Sequence, residues 1–129
     1  MTIDNVVMQV LYKGRPIRVH GHLRNWRAHK TFSFYKEAGG ELEITGWNAE
    51  NRVGCSWAGL LLACDDGLIS NANNWKAFGS NVRRRLPKRY YSKPCVSRSP
   101  FGTSYFRTTK AQKIWPRNGA NYAWFSVIP

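Results

Sequence analysis

One stretch of the chain, residues 71–93 (NANNWKAFGSNVRRRLPKRYYSK), combines an apolar repeat with concentrated positive charge. Its apolar residues recur near the helical period of 3.6, as Trp75, Phe78, Val82 and Leu86. The stretch also holds seven of the chain's twenty Lys and Arg residues and no Asp or Glu. This pattern predicts an amphipathic α-helix over residues 71–86 that ends before Pro87, with an apolar face on a core and a cationic face outward.

The two halves of the chain differ in charge. All seven Asp and Glu residues lie in residues 1–66 together with eight Lys and Arg, whereas residues 67–129 hold the other twelve Lys and Arg. A half without carboxylates repels itself unless an anion supplies the missing charge. We therefore expect an anionic partner, and nucleic acid, either DNA or RNA, is the commonest polyanion. An acidic protein surface is the alternative.

Candidate contacts with nucleic acid lie on the outward face of the predicted helix and beyond it. Lys76, Arg83 and Arg84 are expected to bind phosphates, and Asn73 and Ser80 could reach base edges in a major groove. The other predicted contacts follow the helix or decorate a C-terminal hairpin: Lys88, Arg89, Lys93, Arg107, Lys113 and Arg117.

A second basic segment, residues 20–30, interleaves aromatic rings with cations. Trp26 in this segment is a candidate for stacking on an unpaired base. Packing of Trp26 against a neighbouring sheet is the simpler interpretation, because one Trp in a basic loop is a weak signal.

The N-terminal third is typical of β-structure. Four β-leaning runs form two pairs, residues 6–12 with 17–22 and residues 31–35 with 41–46, and a glycine-containing gap splits each pair. Alternation of apolar and polar side chains in the last two runs is typical of half-buried strands. Residues 1–47 are therefore predicted to form an antiparallel sheet of three or four strands.

The remainder, residues 48–129, is predicted to be a helical pair followed by a basic hairpin. Apolar residues at helical spacing predict a first helix over residues 48–67, ended by Gly67. β-rich runs follow at 104–108, 112–115 and 121–127, and Asn118-Gly119 between the last two is a strong hairpin signal. This order resembles a helix-turn-helix with the wing of a winged-helix domain, in outline only. The predicted fold is a single α+β domain spanning residues 1–129.

No motif in the sequence indicates a cofactor or metal. Phosphate-binding GxxxxGK[ST], dinucleotide-binding GxGxxG, CxxC and HExxH are all absent from the sequence, so no cofactor or metal is expected. His20 and His22 are two residues apart on a predicted strand and would point the same way beside Arg24. They could act as general acid and base in a metal-independent ribonuclease, although an enzyme is the less expected outcome.

Three cysteines, Cys55, Cys64 and Cys95, are an odd and small number, which favours reduced thiols and a cytoplasmic location. No apolar run approaches the roughly 20 residues of a membrane span, so no membrane partner is expected. The leading hypothesis is a non-enzymatic nucleic-acid-binding protein. A small basic inhibitor of a nucleic-acid-handling protein complex, of the phage or mobile-element type, is the first alternative, and the ribonuclease is the second.

Overall fold

The structure is a computed structural model that describes residues 1–4, 6–26, 28–48, 58–97, 106 and 109–129. In this part of the chain the regular elements are nine β-strands and one 3₁₀ turn, Lys88–Tyr90, and no α-helix is present. The strands are β1 (Thr2–Asp4), β2 (Val6–Tyr12), β3 (Arg15–Pro16), β4 (Leu42–Trp47), β5 (Gly59–Leu61), β6 (Lys76–Ser80), β7 (Cys95–Val96), β8 (Ile114–Trp115) and β9 (Tyr122–Val127). None of the described residues forms a helix long and apolar enough to cross a membrane.

The strands form two antiparallel sheets. One has four strands in the order β1-β5-β8-β7, and the other has five in the order β3-β2-β4-β9-β6. Each sheet combines strands from residues 1–47 with strands from residues 48–129. The pairing of β4 with β9 joins these two parts of the chain, and all six residues of β4 are in register with β9.

The inward faces of both sheets build one hydrophobic core. In β4 the side chains of Leu42 and Ile44 are fully buried, while the intervening residues are half-exposed. Trp115 of the four-stranded sheet meets Phe125 of the five-stranded sheet edge to face, with ring centroids 5.7 Å apart. At Gly46 the sheets approach so closely that an added Cβ would lie 2.9 Å from the Ile3 side chain.

A β-bulge keeps β2 aligned with this core. The register of β2 against β4 shifts between Val7 and Gln9. Val7 and Val10 can therefore both point inward although they are three residues apart, and Tyr12 follows on the same face. The predicted strand over residues 6–12 is confirmed, and so is the one over 41–46, which forms as Leu42–Trp47.

The other two N-terminal strands were predicted wrongly. Of residues 17–22 and 31–35, His20 and Thr31 form an isolated bridge, and no strand covers either run. The turn at Lys13 and Gly14 is present, with φ of 53° and 76°, and it pairs only Arg15–Pro16 back onto β2.

The α-helix predicted for residues 71–86 is wrong, and with it the α+β fold class. Asn71 Oδ1 accepts hydrogen bonds from the backbone N–H groups of Asn73 and Asn74, at 3.1 and 2.7 Å, which fixes a turn. Gly79 weakens a helix by about 1 kcal/mol relative to alanine. The chain instead enters β6, whose side chains alternate between exposed or half-exposed and buried.

The helix predicted for residues 48–67 is also wrong where the structure describes it; residues 49–57 lie outside the described part. Gly59–Leu61 is the fully buried strand β5, and a hairpin then pairs Ala63 with Ile69. Gly67 has the positive φ expected of it, 94°, but it serves this hairpin turn rather than a helix end. The carboxylate of Asp66 accepts the Leu68 N–H in the same turn, at 3.1 Å.

The predicted C-terminal hairpin is wrong as well, so no winged helix remains. Gly119 donates to the Pro116 carbonyl at 3.0 Å and closes a turn, as expected for Asn-Gly. The strands on either side of that turn belong to different sheets, because β8 pairs with β5 and β7 whereas β9 pairs with β4 and β6. Of the predicted strand at 104–108, the structure describes Phe106 alone, which lies outside the nine strands.

Candidate nucleic-acid interface

The predicted phosphate contacts gather around β6, the edge strand of the five-stranded sheet. Its outer edge is partly paired, since Ala77 and Ser92 exchange two backbone hydrogen bonds of 2.8 and 2.9 Å. The turn at residues 116–119 is also fastened to this strand, because Asn118 Nδ2 donates to the Gly79 carbonyl at 2.8 Å. Three separate parts of the basic half thus meet at one edge.

Six exposed cations surround this edge, and we refer to them as the β6 cation cluster. They are Lys76, Arg83, Arg84, Arg89, Lys93 and Arg117. Arg117 Nε donates to the Lys93 carbonyl at 3.1 Å, and the Arg89 guanidinium lies 5.0 Å from the ring centroid of Tyr90. Across the residues that the structure describes, no carboxylate forms an ion pair with any of the six. All six were predicted from the sequence as nucleic-acid contacts, three of them, Lys76, Arg83 and Arg84, as phosphate contacts.

Two other cations of the basic half are neutralised within the fold. In the loop 81–90 that follows β6, Arg85 Nη2 lies 2.6 Å from Glu43 Oε1. Lys88 contacts the carboxylates of Glu41 and Glu43, and burial lowers its pKa. The expectation that residues 67–129 lack an internal neutralising partner is therefore wrong for these two residues. Because β9 lies between β6 and β4, the loop must fold back over β9 for them to reach Glu43.

A cleft of about 470 Å³ opens beside this loop. Three of the predicted contact residues, Asn73, Lys76 and Lys88, line it together with Asn74 and Tyr91. Asn73 and Asn74 are exposed because the turn centred on Asn71 presents them. The Glu41 carboxylate also lines the cleft and pairs with Lys88. The cleft thus offers amide donors and acceptors, the exposed ammonium of Lys76 and an aromatic ring.

The outer face of the five-stranded sheet carries a row of five aromatic rings, which we call the aromatic row. Successive centroids are 6.2, 6.3, 5.7 and 5.8 Å apart along Trp47, Tyr122, Trp124, Phe78 and Tyr91. Sequence reasoning missed this feature and assigned Phe78 to the core of a helix. The sequence of β9 does indicate it, because Tyr122 and Trp124 are two residues apart and therefore lie on one face of a strand.

Four predicted contact residues are not part of the cation cluster or the cleft. Ser80 ends β6, is half-buried, and accepts a hydrogen bond from the Val82 N–H at 3.2 Å. Lys113 is only 7% exposed and packs over Gly59. Trp26 is half-buried beside β1 of the other sheet, where its carbonyl accepts the Thr2 hydroxyl at 2.6 Å. Arg107 lies outside the described residues.

The histidine pair lacks the strand geometry that suggested a ribonuclease. Gly21 between the two has a φ of 115°, and His22 accepts the Asn25 N–H in a turn rather than continuing a strand. Extended backbone was the reason to expect His20 and His22 on one face, and this reason does not hold. Within the described ranges, no three His, Cys, Asp or Glu side chains form a group that could hold a metal ion.

Burial shifts the pKa of one lysine and one cysteine, which both line a pocket with Met1. Lys30 is 1% exposed, and its ammonium donates to the carbonyls of Asn25 and Ala28, while burial lowers its pKa to about 8. Cys64 is a free thiol whose pKa is raised, chiefly by burial.

No protein-family model, curated protein or solved structure matches this chain. Function is therefore inferred from the chemistry of the chain's own residues.

Proposed function

We propose that the protein binds nucleic acid, without catalysis, through the β6 cation cluster. The observation that carries this proposal is the placement around one sheet edge of six exposed cations that form no ion pair with a described carboxylate. Clustered Lys and Arg side chains neutralise successive phosphates and release counterions, which drives binding whatever the base sequence. Arginines add bidentate hydrogen bonds to phosphate oxygens.

The distribution of ion pairs supports this assignment. Arg85 and Lys88 form ion pairs with the protein's own carboxylates. Arg83, Arg84 and Arg89 of the same loop are exposed and form no ion pair with a described carboxylate. The loop is thus fastened to the sheet by two cations and presents three others to a partner. A fastened loop loses less conformational entropy on binding than a free one, which favours affinity.

The test is a binding titration of labelled DNA and RNA at several salt concentrations. Six cations limit the number of phosphate contacts to about six, so the slope of log K against log salt should not be steeper than about −4 for single strands or −5 for duplexes. Arg83→Glu combined with Arg84→Glu should weaken binding by at least about tenfold at low salt, because two attractions become repulsions.

Arg18→Glu combined with Arg24→Glu is the matched control, since it changes the net charge equally. Both residues are exposed and lie in the segment beside β2, on the side of the sheet away from β6. This control should bind within about threefold of wild type if contacts at the β6 edge dominate. Equal losses in the two double variants, or no binding at low salt, would rule out the β6 edge as a nucleic-acid site.

Purification without nuclease separates this proposal from the inhibitor alternative. Oligonucleotide that copurifies with wild type and not with the Arg83→Glu, Arg84→Glu variant supports nucleic-acid binding. A stoichiometric nucleic-acid-handling protein in its place would favour the inhibitor. A cytoplasmic location stays a prediction.

A further inference from the structure

The aromatic row is unusual because it faces away from the core. The inward positions of β6 and β9 are taken by Ala77, Gly79, Ala123 and Phe125, so the shared core does not require rings on the other face. Outward positions of a sheet that faces solvent are ordinarily polar. Here three adjacent strands place rings there instead.

The two ends of the row differ in exposure. Trp124 and Tyr91 are 7% and 9% exposed, at the end where Arg85 and Lys88 fasten the loop across β9. Trp47 and Tyr122, at the other end, are each partly exposed. They are direct partners across β4 and β9, and their ring planes are inclined by 26°. Phe78 is also partly exposed but lies between the two buried rings, so Trp47 and Tyr122 are the two adjacent accessible rings of the row.

The accessible pair leads directly to the cations. Tyr122 is in register with Ser80 on its other side, so Trp47, Tyr122 and Ser80 form one line across three strands. Two strand spacings of about 4.8 Å put the backbone of Ser80 roughly 10 Å from that of Trp47. Arg83 and Arg84 follow Ser80 by three and four residues. The loop that carries Arg83 and Arg84 thus begins at the end of this line of residues.

We propose that Trp47 and Tyr122 stack on unpaired bases while Arg83 and Arg84 bind the adjoining phosphates, so that the ligand is single-stranded nucleic acid. This inference rests on the proposed function and narrows it to one class of ligand. Aromatic side chains on a sheet can stack on the faces of bases only where those faces are free. In a duplex the neighbouring base pairs cover the faces of the bases.

The test compares three ligands of one sequence, about 12 nucleotides long: single-stranded DNA, single-stranded RNA and duplex DNA. Wild type should prefer the single strands by about tenfold or more. Trp47→Leu and Tyr122→Leu should each weaken single-strand binding by about 5- to 150-fold, the range measured for loss of one stacked base. Trp47→Phe and Tyr122→Phe keep a ring and should retain most of the affinity. Tyr35→Leu is the control, because Tyr35 is 95% exposed and lies outside the row.

A fluorescence measurement on wild type tests the same inference even if a variant fails to fold. Single-stranded oligonucleotide should quench the tryptophan fluorescence of wild type, and Trp47→Phe should bind with less quenching. The stacking inference is overturned if single strands and duplex bind with equal affinity, the leucine variants lose no affinity and no quenching occurs. The proposed function still stands in that case if the binding weakens with rising salt. Absence of binding to all three ligands at low salt overturns both.

Discussion

Substitutions at adjacent positions in β6 distinguish a strand from the helix that the sequence indicates. Ala77 is 2% exposed and faces the core, whereas Lys76 beside it is exposed. In a helix, residues 76 and 77 would lie about 100° and 200° from Trp75 and would both be off the apolar stripe. Ala77→Asn should therefore be strongly destabilising in the strand and tolerated in the helix. Lys76→Asn should be tolerated in both.

The expected cost follows from the surroundings of Ala77. Burying an amide without partners costs about 1–3 kcal/mol, and forcing extra atoms into a packed core costs about 1–3 kcal/mol more. The expected loss in the free energy of unfolding is thus about 2–6 kcal/mol. The unfolding entropy of a chain of 129 residues is about 0.27 kcal/mol per kelvin near 60 °C. Ala77→Asn should therefore lower Tm by about 7–22 °C.

Thermal unfolding followed by circular dichroism measures this difference. Lys76→Asn should shift Tm by no more than about 2 °C, the usual range for an exposed position. Ala77→Ser, which buries a smaller polar group, gives a measurable shift in the same direction if Ala77→Asn does not fold. Melting of Ala77→Asn within about 2 °C of Lys76→Asn would falsify the register of β6 and the placement of the cation cluster around it.

Two further predictions concern a buried charge and the turn between the sheets. Burial lowers the pKa of Lys30 from its ordinary value of 10.5 to about 8 in the fold, so the unfolded chain binds more protons between these two values. The free energy of unfolding of wild type, relative to that of Lys30→Met, should therefore rise as the pH rises from about 8 to 10, by up to about 1.4 kcal/mol per pH unit. Urea titrations at several pH values measure this difference. A difference that does not change with pH would contradict the lowered pKa. Asn118→Ala removes the hydrogen bond to the Gly79 carbonyl and should cost about 1–3 kcal/mol by the same titrations, whereas no cost would mean that the turn is not fastened to β6.

The sequence alone identified the charge that makes an anionic partner expected, together with six residues that the fold gathers at one edge. It also predicted the strand at residues 6–12, the one at 41–46, and the positive φ of Gly67 and Gly119. These features depend on composition, on local alternation or on the preferences of single residues. Each can be read from a short window because its physical cause lies within that window.

The tertiary structure decided which periodicity applies at residues 75–82. Trp75 and Phe78 are three residues apart, which suits one face of a helix, but a strand separates them to opposite faces. Trp75 is 1% exposed in the core, and Phe78 belongs to the outer aromatic row. Short apolar runs satisfy both periods, so burial against distant strands selects between them. Here β9 pairs with all five residues of β6.

Partners that are distant in sequence decided the site itself. Asn-Gly correctly indicated a tight turn, but the strands around it separate into two sheets because Trp115 and Phe125 pack against each other across the core. In the same way, Arg85 and Lys88 find carboxylates more than 40 residues away on and beside β4. A turn motif or a charge count indicates which local structures and partners a segment allows. Which distant segments pair depends on the arrangement that buries the most apolar surface while every backbone group is hydrogen-bonded.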